Sequence, residues 1–589
     1  MFARDIISEL TAWSEKKHRK PLILRGARQV GKTTIVEMFA RQFEQYLYIN
    51  LENDNNKELF NKNKGFDDLV QLIFLKYEKF RKGKKTLIFF DEIQQEPKAI
   101  AQLRYFYEEA PDLYVIAAGS LLDVVLKNKI SFPVGRVEYR VLRPVSFHEF
   151  LKALGKTLAL EQFEKIPLAS FAHLRLLELF HIYALIGGMP EIILNYVENK
   201  DYTQLVPIYE TLLTSYIDDV EKYAHDQPIR HILRYIIPKI FIEGGKRIKF
   251  QGFGDSNYKS REMGEALRTL ERAWLLHLVY PTVDTRLPYI PDYKKVPRLQ
   301  VLDTGLINHF AGLKIGLLSA NNLNEVYEGK IAEHIVGQEL LAKQYNVFNK
   351  INFWVNEKKG SMAEVDFLYL FQDKLIPIEV KSGASGKLKS LHKFMELAPH
   401  SYAVRCYAGE LRVDKINNKQ GKAFFLLNLP YYLISQIDKY LEWFTNSYLT
   451  PGYNIYKTNI EDRFVSESEG EYNRPKSKYE GIKDIVEGIS PIDEGENILD
   501  RRTKTSIRKA INDIENIRSD TKSNLEKLLF AIYRVEGKKV KDYSLITGIP
   551  VKSIERYVKI LREENIIIFR GEKKAKNAGY FFTKSFEKN

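Results

Sequence analysis

Cysteine is all but missing from this chain. Cys406 is the single one among 589 residues. That excludes an internal disulfide framework and a cysteine-based metal site, and it suits a reducing compartment. Long apolar runs are missing as well, and none reaches the length that spans a bilayer. The opening stretch, MFARDIISELTAW, carries charges among its apolar residues, unlike a secretory signal. These absences predict a cytoplasmic protein without a membrane partner. What remains is ordinary for a globular chain, with 44% hydrophobic and 28% charged residues. The length implies several domains.

The formal charge is +14, and it is unevenly placed. Arg501–Asn589 holds 22 Lys and Arg against 11 Asp and Glu, whereas Tyr453–Asp500 holds 6 against 12. A basic module therefore follows an acidic, Ser-, Gly- and Pro-containing segment that reads as a flexible linker. Such a tail points to a polyanion partner.

The stretch from Pro21 to Thr34, PLILRGARQVGKTT, reads as a short apolar strand, a glycine-bounded loop and the start of a helix. Gly26, Gly31, Lys32 and Thr33 match G-x-x-x-x-G-K-[ST], the phosphate loop. Glycines let the backbone curl so that N–H groups face phosphate oxygens. Gly26, Ala27, Arg28, Gln29, Val30, Gly31, Lys32, Thr33 and Thr34 are thus the candidate nucleotide-binding residues. Lys32 brings a compact positive charge, and the Thr33 hydroxyl is a hard ligand for Mg²⁺. The run TLIFF ends in Asp91–Glu92, the Walker B pattern. Asp91 would hold Mg²⁺ and Glu92 would act as general base on the attacking water. ATP and Mg²⁺ are the expected cofactors.

A third apolar run, LYVIAA, precedes Gly119–Ser120. Ser120 would contact the γ-phosphate or the attacking water, or would cap the following helix. Arg136 would stabilise transition-state charge in its own subunit or, within a homo-oligomer formed through this domain, in a neighbour's. Arg140 and Arg143 compete for that role.

GARQVGKTT, FFDEIQ, AAGSLL, VGR, LRPVSFHEFL and LIGGMPEII occur in this order. With them the chain resembles a bacterial and archaeal family of AAA+-like ATPases that carry a DUF4143 region. The resemblance runs from Met1 to about residue 445. It implies a central parallel sheet with the sensor strand between the phosphate-loop and Walker B strands.

Ser146–His225 is helical by its three- and four-residue apolar spacing and reads as a lid. Asp218 and Asp219 within it are adjacent, diverge on a helix, and read as a solvated face. The stretch His231–Val283 suggests a winged helix with Arg261–Trp274 as its recognition helix. The glutamates on that helix favour packing over DNA contact.

A second chemical centre lies in EVDFLYL and LIPIEVKSG. The two stretches read as a hairpin turning near Gln372–Asp373. Asp366 sits on the first strand. Glu379 and Lys381, two apart, share one face of the second. With Glu333 on a preceding helix, this is the PD-(D/E)xK arrangement of a restriction-endonuclease-like domain. Glu333, Asp366 and Glu379 would hold Mg²⁺ or Mn²⁺, and Lys381 would stabilise charge on the scissile phosphate. An inactive fold kept for contact remains the alternative.

In the tail, Pro550–Glu563 reads as the third helix of another winged helix, with RGEKKAKNAG as the wing. Lys552, Ser553, Arg556, Lys559 and Arg562 lie on its outward side, and Lys573, Lys574 and Lys576 on the wing. All eight are placed for DNA contact. The expected architecture is α/β throughout. It comprises a P-loop ATPase domain (1–145), a helical lid (146–225), a winged-helix-like region (226–300), a nuclease-like domain (301–450), an acidic linker (451–504) and a basic winged helix (505–589). The expected function is an ATPase controlling a metal-dependent DNA nuclease. The rival is a nucleotide-gated binding switch without catalysis at the second centre.

Overall fold

The computed structural model describes residues 2–61, 65–119, 133–224, 227–312, 330–347, 350–358, 361–381, 388–418 and 421–448. In the tail it describes 521–522, 524–525, 528–529, 532, 540, 543–544, 549–563, 566–570 and 579–582. The acidic segment expected as a linker lies outside these residues. The chain divides into two compact units, Met1–Ser468 and Glu469–Asn589.

The first unit opens with a parallel sheet. Its strands are β1 (Leu22–Arg25), β2 (Gln45–Asn50), β3 (Thr86–Asp91), β4 (Tyr114–Ala118) and β5 (Glu138–Val141), in the order β2-β3-β4-β1-β5. Neighbours pair in parallel throughout. β4 thus sits between the strand that feeds the phosphate loop and the strand that ends at Asp91. The continuous apolar character of β3 follows from burial on both faces. Leu87 and Phe89 join one core, Ile88 and Phe90 the other.

A second, mixed sheet follows. Its strands are β7 (Pro281–Thr282), β9 (Asn352–Lys358), β10 (Ser361–Phe371), β11 (Lys374–Val380), β12 (Tyr402–Tyr407), β13 (Arg412–Asn417) and β14 (Ala423–Pro430). β9, β10 and β11 form an antiparallel meander, and β11, β12 and β14 run parallel. β6 (Leu276–Val279) pairs instead with β8 (Arg298–Val301) in a separate antiparallel ribbon. Strand pairing therefore crosses residue 300, because β7 joins the second sheet from the N-terminal side. One continuous apolar core runs from Ile6 through Tyr183, Leu270 and Val336 to Phe444.

Two buried carboxylates tie this unit together. The helix Phe147–Ala153 starts with a capping box, in which Ser146 and Glu149 each bond the other's backbone N–H. This is the physical content of the SFHE stretch. The next residue's amide, Phe147 N–H, donates to Glu339 at 3.1 Å, and the Tyr183 hydroxyl donates to the same carboxylate at 2.6 Å. Asp303 caps the helix Thr304–Phe310 by accepting from Leu306 N–H at 3.2 Å, and accepts Gly188 N–H at 2.5 Å. Gly187 must be glycine for this approach. Its φ is +74°, and a Cβ there would lie 2.1 Å from the Asp303 carboxylate.

Burial pushes Asp303 up to about 6 and Glu339 up to about 7. The folded state therefore holds these protons more tightly than the unfolded chain. The stability these two groups contribute is fullest below the ordinary carboxylate range and falls as pH rises through these values. Glu339→Gln should remove much of that slope. Between pH 5 and pH 8 the wild type should lose on the order of 2 kcal/mol that the variant retains. Thermal melts across this range check it, and parallel pH profiles for the two proteins would refute it.

Candidate functional site

The phosphate loop follows directly from β1. Gly26 has φ +140°, and a Cβ there would lie 2.2 Å from the Leu142 carbonyl oxygen, so only glycine fits. Gln29 and Gly31 also adopt left-handed conformations, at φ 62° and 93°. The helix Lys32–Ala40 then begins. The Lys32 ammonium folds back onto the loop, donating to the carbonyls of Gly26 at 3.1 Å and Ala27 at 2.8 Å. Burial lowers its pKa, opposed by Glu92 and Asp91.

Asp91 ends β3 beside the loop. The Thr33 hydroxyl donates to its Oδ2 at 2.7 Å, and the Tyr48 hydroxyl reaches the same oxygen at 3.2 Å. Two hard oxygen donors in contact fit the inner and outer partners of a Mg²⁺ ion. Glu92 follows in a left-handed conformation at φ 51°, and its Oε2 accepts from Gln94 Nε2. The turn at the end of β3 thus meets the loop at the end of β1, with β4 between the two strands. Gln94 and Tyr48 were not foreseen, since neither residue type marks a motif.

Further residues close over the loop. Arg4 donates to the Val30 carbonyl at 3.1 Å and the Arg143 carbonyl at 2.7 Å, and pairs with Glu149 at 2.9 Å. Pro190, from the LIGGMPEII stretch, stands 3.8 Å from where a Cβ on Gly31 would be. Arg28 of the loop pairs with Asp219 of the helix Val206–Tyr223. Asp218 is exposed, as a solvated face requires, but Asp219 is buried. For Asp219 the solvated reading is therefore corrected: tertiary packing supplies a cation that helical periodicity cannot reveal.

Arg136 lies before the N-terminal end of β5, which pairs with the start of β1 through Leu22 and Glu138. The phosphate loop leaves the opposite end, and the four residues of β5 alone rise about 13 Å. A role on its own subunit's nucleotide is thereby corrected. Arg136 instead pairs with Glu108 at 2.7 Å. Arg140 pairs with Glu9, and Arg143 is buried against His277 and Trp274. Ser120 lies outside the described residues.

The second centre is assembled by the hairpin. β10 and β11 pair from Phe367↔Ile378 to Phe371↔Lys374. An irregularity between Val365 and Leu368 interrupts the β9–β10 ladder, and such a break re-aims a side chain. Asp366 there accepts Val380 N–H at 2.8 Å through its carboxylate. Glu379 and Lys381 contact each other at 2.5 Å. Glu333 joins from the helix Lys330–Ala342. Burial raises Glu333, Asp366 and Glu379 from their ordinary values, and Asp366 adds to the rise at the other two. Lys381 is raised despite its burial, by Glu379, Asp366 and Glu333.

The surprise at this centre is Arg298. From β8 its guanidinium reaches Glu333 at 3.9 Å and Asp366 at 3.5 Å, and it pairs closely with Glu364. Arg298 also donates to the Asp366 carbonyl at 3.1 Å. Burial opposes its charge, but Asp366, Glu333 and Glu364 outweigh burial and raise its pKa. Among the described residues, no group of three or more His, Cys, Asp or Glu is disposed to hold a metal ion. The expected donors are gathered, but the cations among them are side chains, Arg298 and Lys381. As it stands, the centre does not fit Mg²⁺ or Mn²⁺.

In the tail, the helix Val551–Glu563 buries Ile554, Tyr557, Val558 and Leu561. Lys552, Arg556, Lys559 and Arg562 are exposed, and Ser553 is half-buried. β15 (Ile567–Arg570) and β16 (Gly579–Phe582) pair antiparallel after it. Lys573, Lys574 and Lys576 lie outside the described residues. In the first unit, the helix Ser260–Arg272 buries Met263, Ala266, Leu267 and Leu270 and exposes both acidic and basic groups. Among the described residues no helix is long and apolar enough to cross a membrane.

The parallel sheet, the glycine-bounded loop and the Asp91–Glu92 turn define a P-loop ATPase fold of the AAA+-like class. Residues 18–151 match the family model AAA_14, an AAA domain. Residues 328–432 match DUF4143 and residues 177–315 match DUF8612, both domains of unknown function. The matches support an AAA+-like ATPase family, and with it nucleotide binding and hydrolysis. A comparison with curated proteins gives no match. Among solved structures, the chain is similar to the Walker-type ATPase PABY2304 of Pyrococcus abyssi, at 16% identity over 53% of this chain and 96% of that one, with a TM-score of 0.34. It is also similar to the Thermotoga maritima RuvB Holliday junction branch migration motor, at 16% identity over 50% and 93%, with a TM-score of 0.22.

Lys32→Ala should lose ATP binding. Glu92→Gln should bind ATP but turn it over on the order of 100-fold more slowly. Equilibrium nucleotide binding beside steady-state phosphate release separates the two. Wild-type turnover in Glu92→Gln would remove Glu92 as the base.

Proposed function

We propose that this protein is an ATP-hydrolysing switch whose nucleotide state controls a nuclease-like centre acting on DNA, with the basic tail supplying DNA affinity. The observation that carries the proposal is the convergence of Glu333, Asp366, Glu379 and Lys381 within the same compact unit as the phosphate loop. At the first site, Lys32 and the loop backbone bind the nucleotide phosphates, and Thr33 and Asp91 hold Mg²⁺, which neutralises charge developing on the phosphates. Glu92, once free of Gln94, accepts the proton of the attacking water. Arg28 couples the site to the helical region. Incoming phosphate competes with Asp219 for its guanidinium, so occupancy loosens the helix that bears Asp219. Arg136, half-buried beside Glu108 at the far end of the edge strand β5, would serve a neighbouring subunit in a homo-oligomer.

The second reading is a nucleotide-gated binding switch whose restriction-endonuclease-like module does not cut. Arg298 favours it, since its guanidinium stands among the carboxylates that a metal would need. Linear and circular DNA incubated with Mg²⁺ or Mn²⁺, with and without ATP, distinguishes the two. Under the first reading Asp366→Ala abolishes cleavage and leaves ATP hydrolysis intact. Absence of cleavage by wild type in every condition selects the second.

The tail has its own test. Its outward Lys552, Arg556, Lys559 and Arg562 suit phosphate contacts, each of which releases counterions on binding. Deleting residues 505–589 should weaken DNA binding and flatten its dependence on salt. An unchanged salt slope in the shortened protein would dismiss the tail as the DNA-binding part.

A further inference from the structure

We infer that Arg143, His277 and Lys350 form an anion site where three stretches of the first unit meet, and that it takes one phosphate-type oxyanion. The inference does not depend on the nuclease reading, and the site is separate from the phosphate loop.

One buried charge in this unit is unanswered. Four arginines are buried among the described residues, Arg4, Arg143, Arg298 and Arg405. Arg4 pairs with Glu149, Arg298 pairs with Glu364 and Asp366, and Arg405 has Asp414 within electrostatic reach. Arg143, 8% exposed, faces no carboxylate among the described residues. Its guanidinium donates to His277 Nε2 and lies 5.1 Å from the centre of the Trp274 ring. Its Nε is buried without a hydrogen-bond partner. An indole face and a neutral imidazole soften the burial of a unit charge but do not neutralise it. Burial accordingly pulls Arg143 down to about 10, and no acid opposes it.

The neighbouring groups also lack an acid. A guanidinium can only donate, so His277 Nε2 accepts and the imidazole proton sits on Nδ1. Burial, then Arg143 and Lys350, hold His277 well below its ordinary value, so the ring stays neutral and no acid opposes them. His277 is half-buried and Lys350 exposed. The cluster is therefore reached from solvent past these two, with Arg143 at its inner end.

Three separate stretches supply the cluster. Arg143 follows β5, Trp274 and His277 flank the entry to β6, and Lys350 precedes β9. Leu142, just before Arg143, lies against Gly26 of the phosphate loop, and Arg4 joins the carbonyls of Arg143 and Val30. The site thus stands at the seam between the parallel sheet and the elements that follow it. A planar guanidinium with a spare N–H and a nearby ammonium, with no acid beside them, suit a tetrahedral oxyanion. Two sources share that chemistry, a free phosphate and the phosphodiester of a nucleic-acid strand lying over the seam.

The test uses the full-length protein carrying Lys32→Ala, which weakens anion capture by the phosphate loop. Its thermal melts, without and with inorganic phosphate, are compared with those of the same protein carrying Arg143→Met as well. Without phosphate, Arg143→Met should melt at least as high as its parent, because an unanswered buried charge is gone. With phosphate, the parent should gain several degrees by binding the ion and Arg143→Met should gain less than half as much, so the parent ends higher. A merely structural Arg143 would lower the melt equally in both buffers. An equal gain from phosphate in the two proteins overturns the inference. If Arg143→Met does not fold, Lys350→Glu, at an exposed position, carries the same comparison. It should lose most of the gain, and a gain equal to the parent's overturns the site. A short DNA duplex titrated in place of phosphate separates the sources. Weaker duplex binding by Lys350→Glu assigns the site to a phosphodiester, and unchanged duplex binding beside a lost phosphate gain assigns it to free phosphate.

Discussion

A buried carboxylate with no cation beside it is expensive, and Asp303 meets that constraint with backbone N–H groups from two distant segments. It accepts from Leu306 on its own helix and from Gly188 in the turn above the phosphate loop. The turn needs glycine because the carboxylate leaves no room for a Cβ at residue 187. The loop that faces the nucleotide and the strand that bears Arg298 are thereby joined through one side chain. Packing around this joint is continuous.

The two chemical centres solve opposite electrostatic problems. At the phosphate loop the ligand is anionic, and the protein presents Lys32, Arg28 and curled backbone. Until phosphate arrives, Lys32 is satisfied by carbonyls and Arg28 by Asp219. At the second centre the protein presents anions, and Arg298, Arg247 and Lys381 pair with them. At the phosphate loop the internal partners keep a highly charged site foldable without its ligand.

Much of the first site was legible because its chemistry is local. A strand, a glycine-bounded loop and a helix place Gly26 to Thr34 by covalent neighbourhood alone, and β3 delivers Asp91 the same way. Glu379 and Lys381 were legible because a strand's period of two puts them on one face. Arg136 misled because adjacency to a strand says nothing about which end of the sheet it occupies. Asp219 misled because a helix shows which residues share a face, not which cation waits opposite.

The sequence by itself determined the residue types and spacings of the phosphate loop, the Asp91–Glu92 turn and the hairpin of the second centre, since each depends on backbone geometry over a few bonds. Only the tertiary structure decided the counter-charges: Arg4 on Glu149, Arg28 on Asp219, Arg298 among Glu333, Glu364 and Asp366. Arg298 lies 68 residues before Asp366 in the chain. Ion pairing falls off over a few ångströms and is set by which strands come into register, so no local pattern could have announced it.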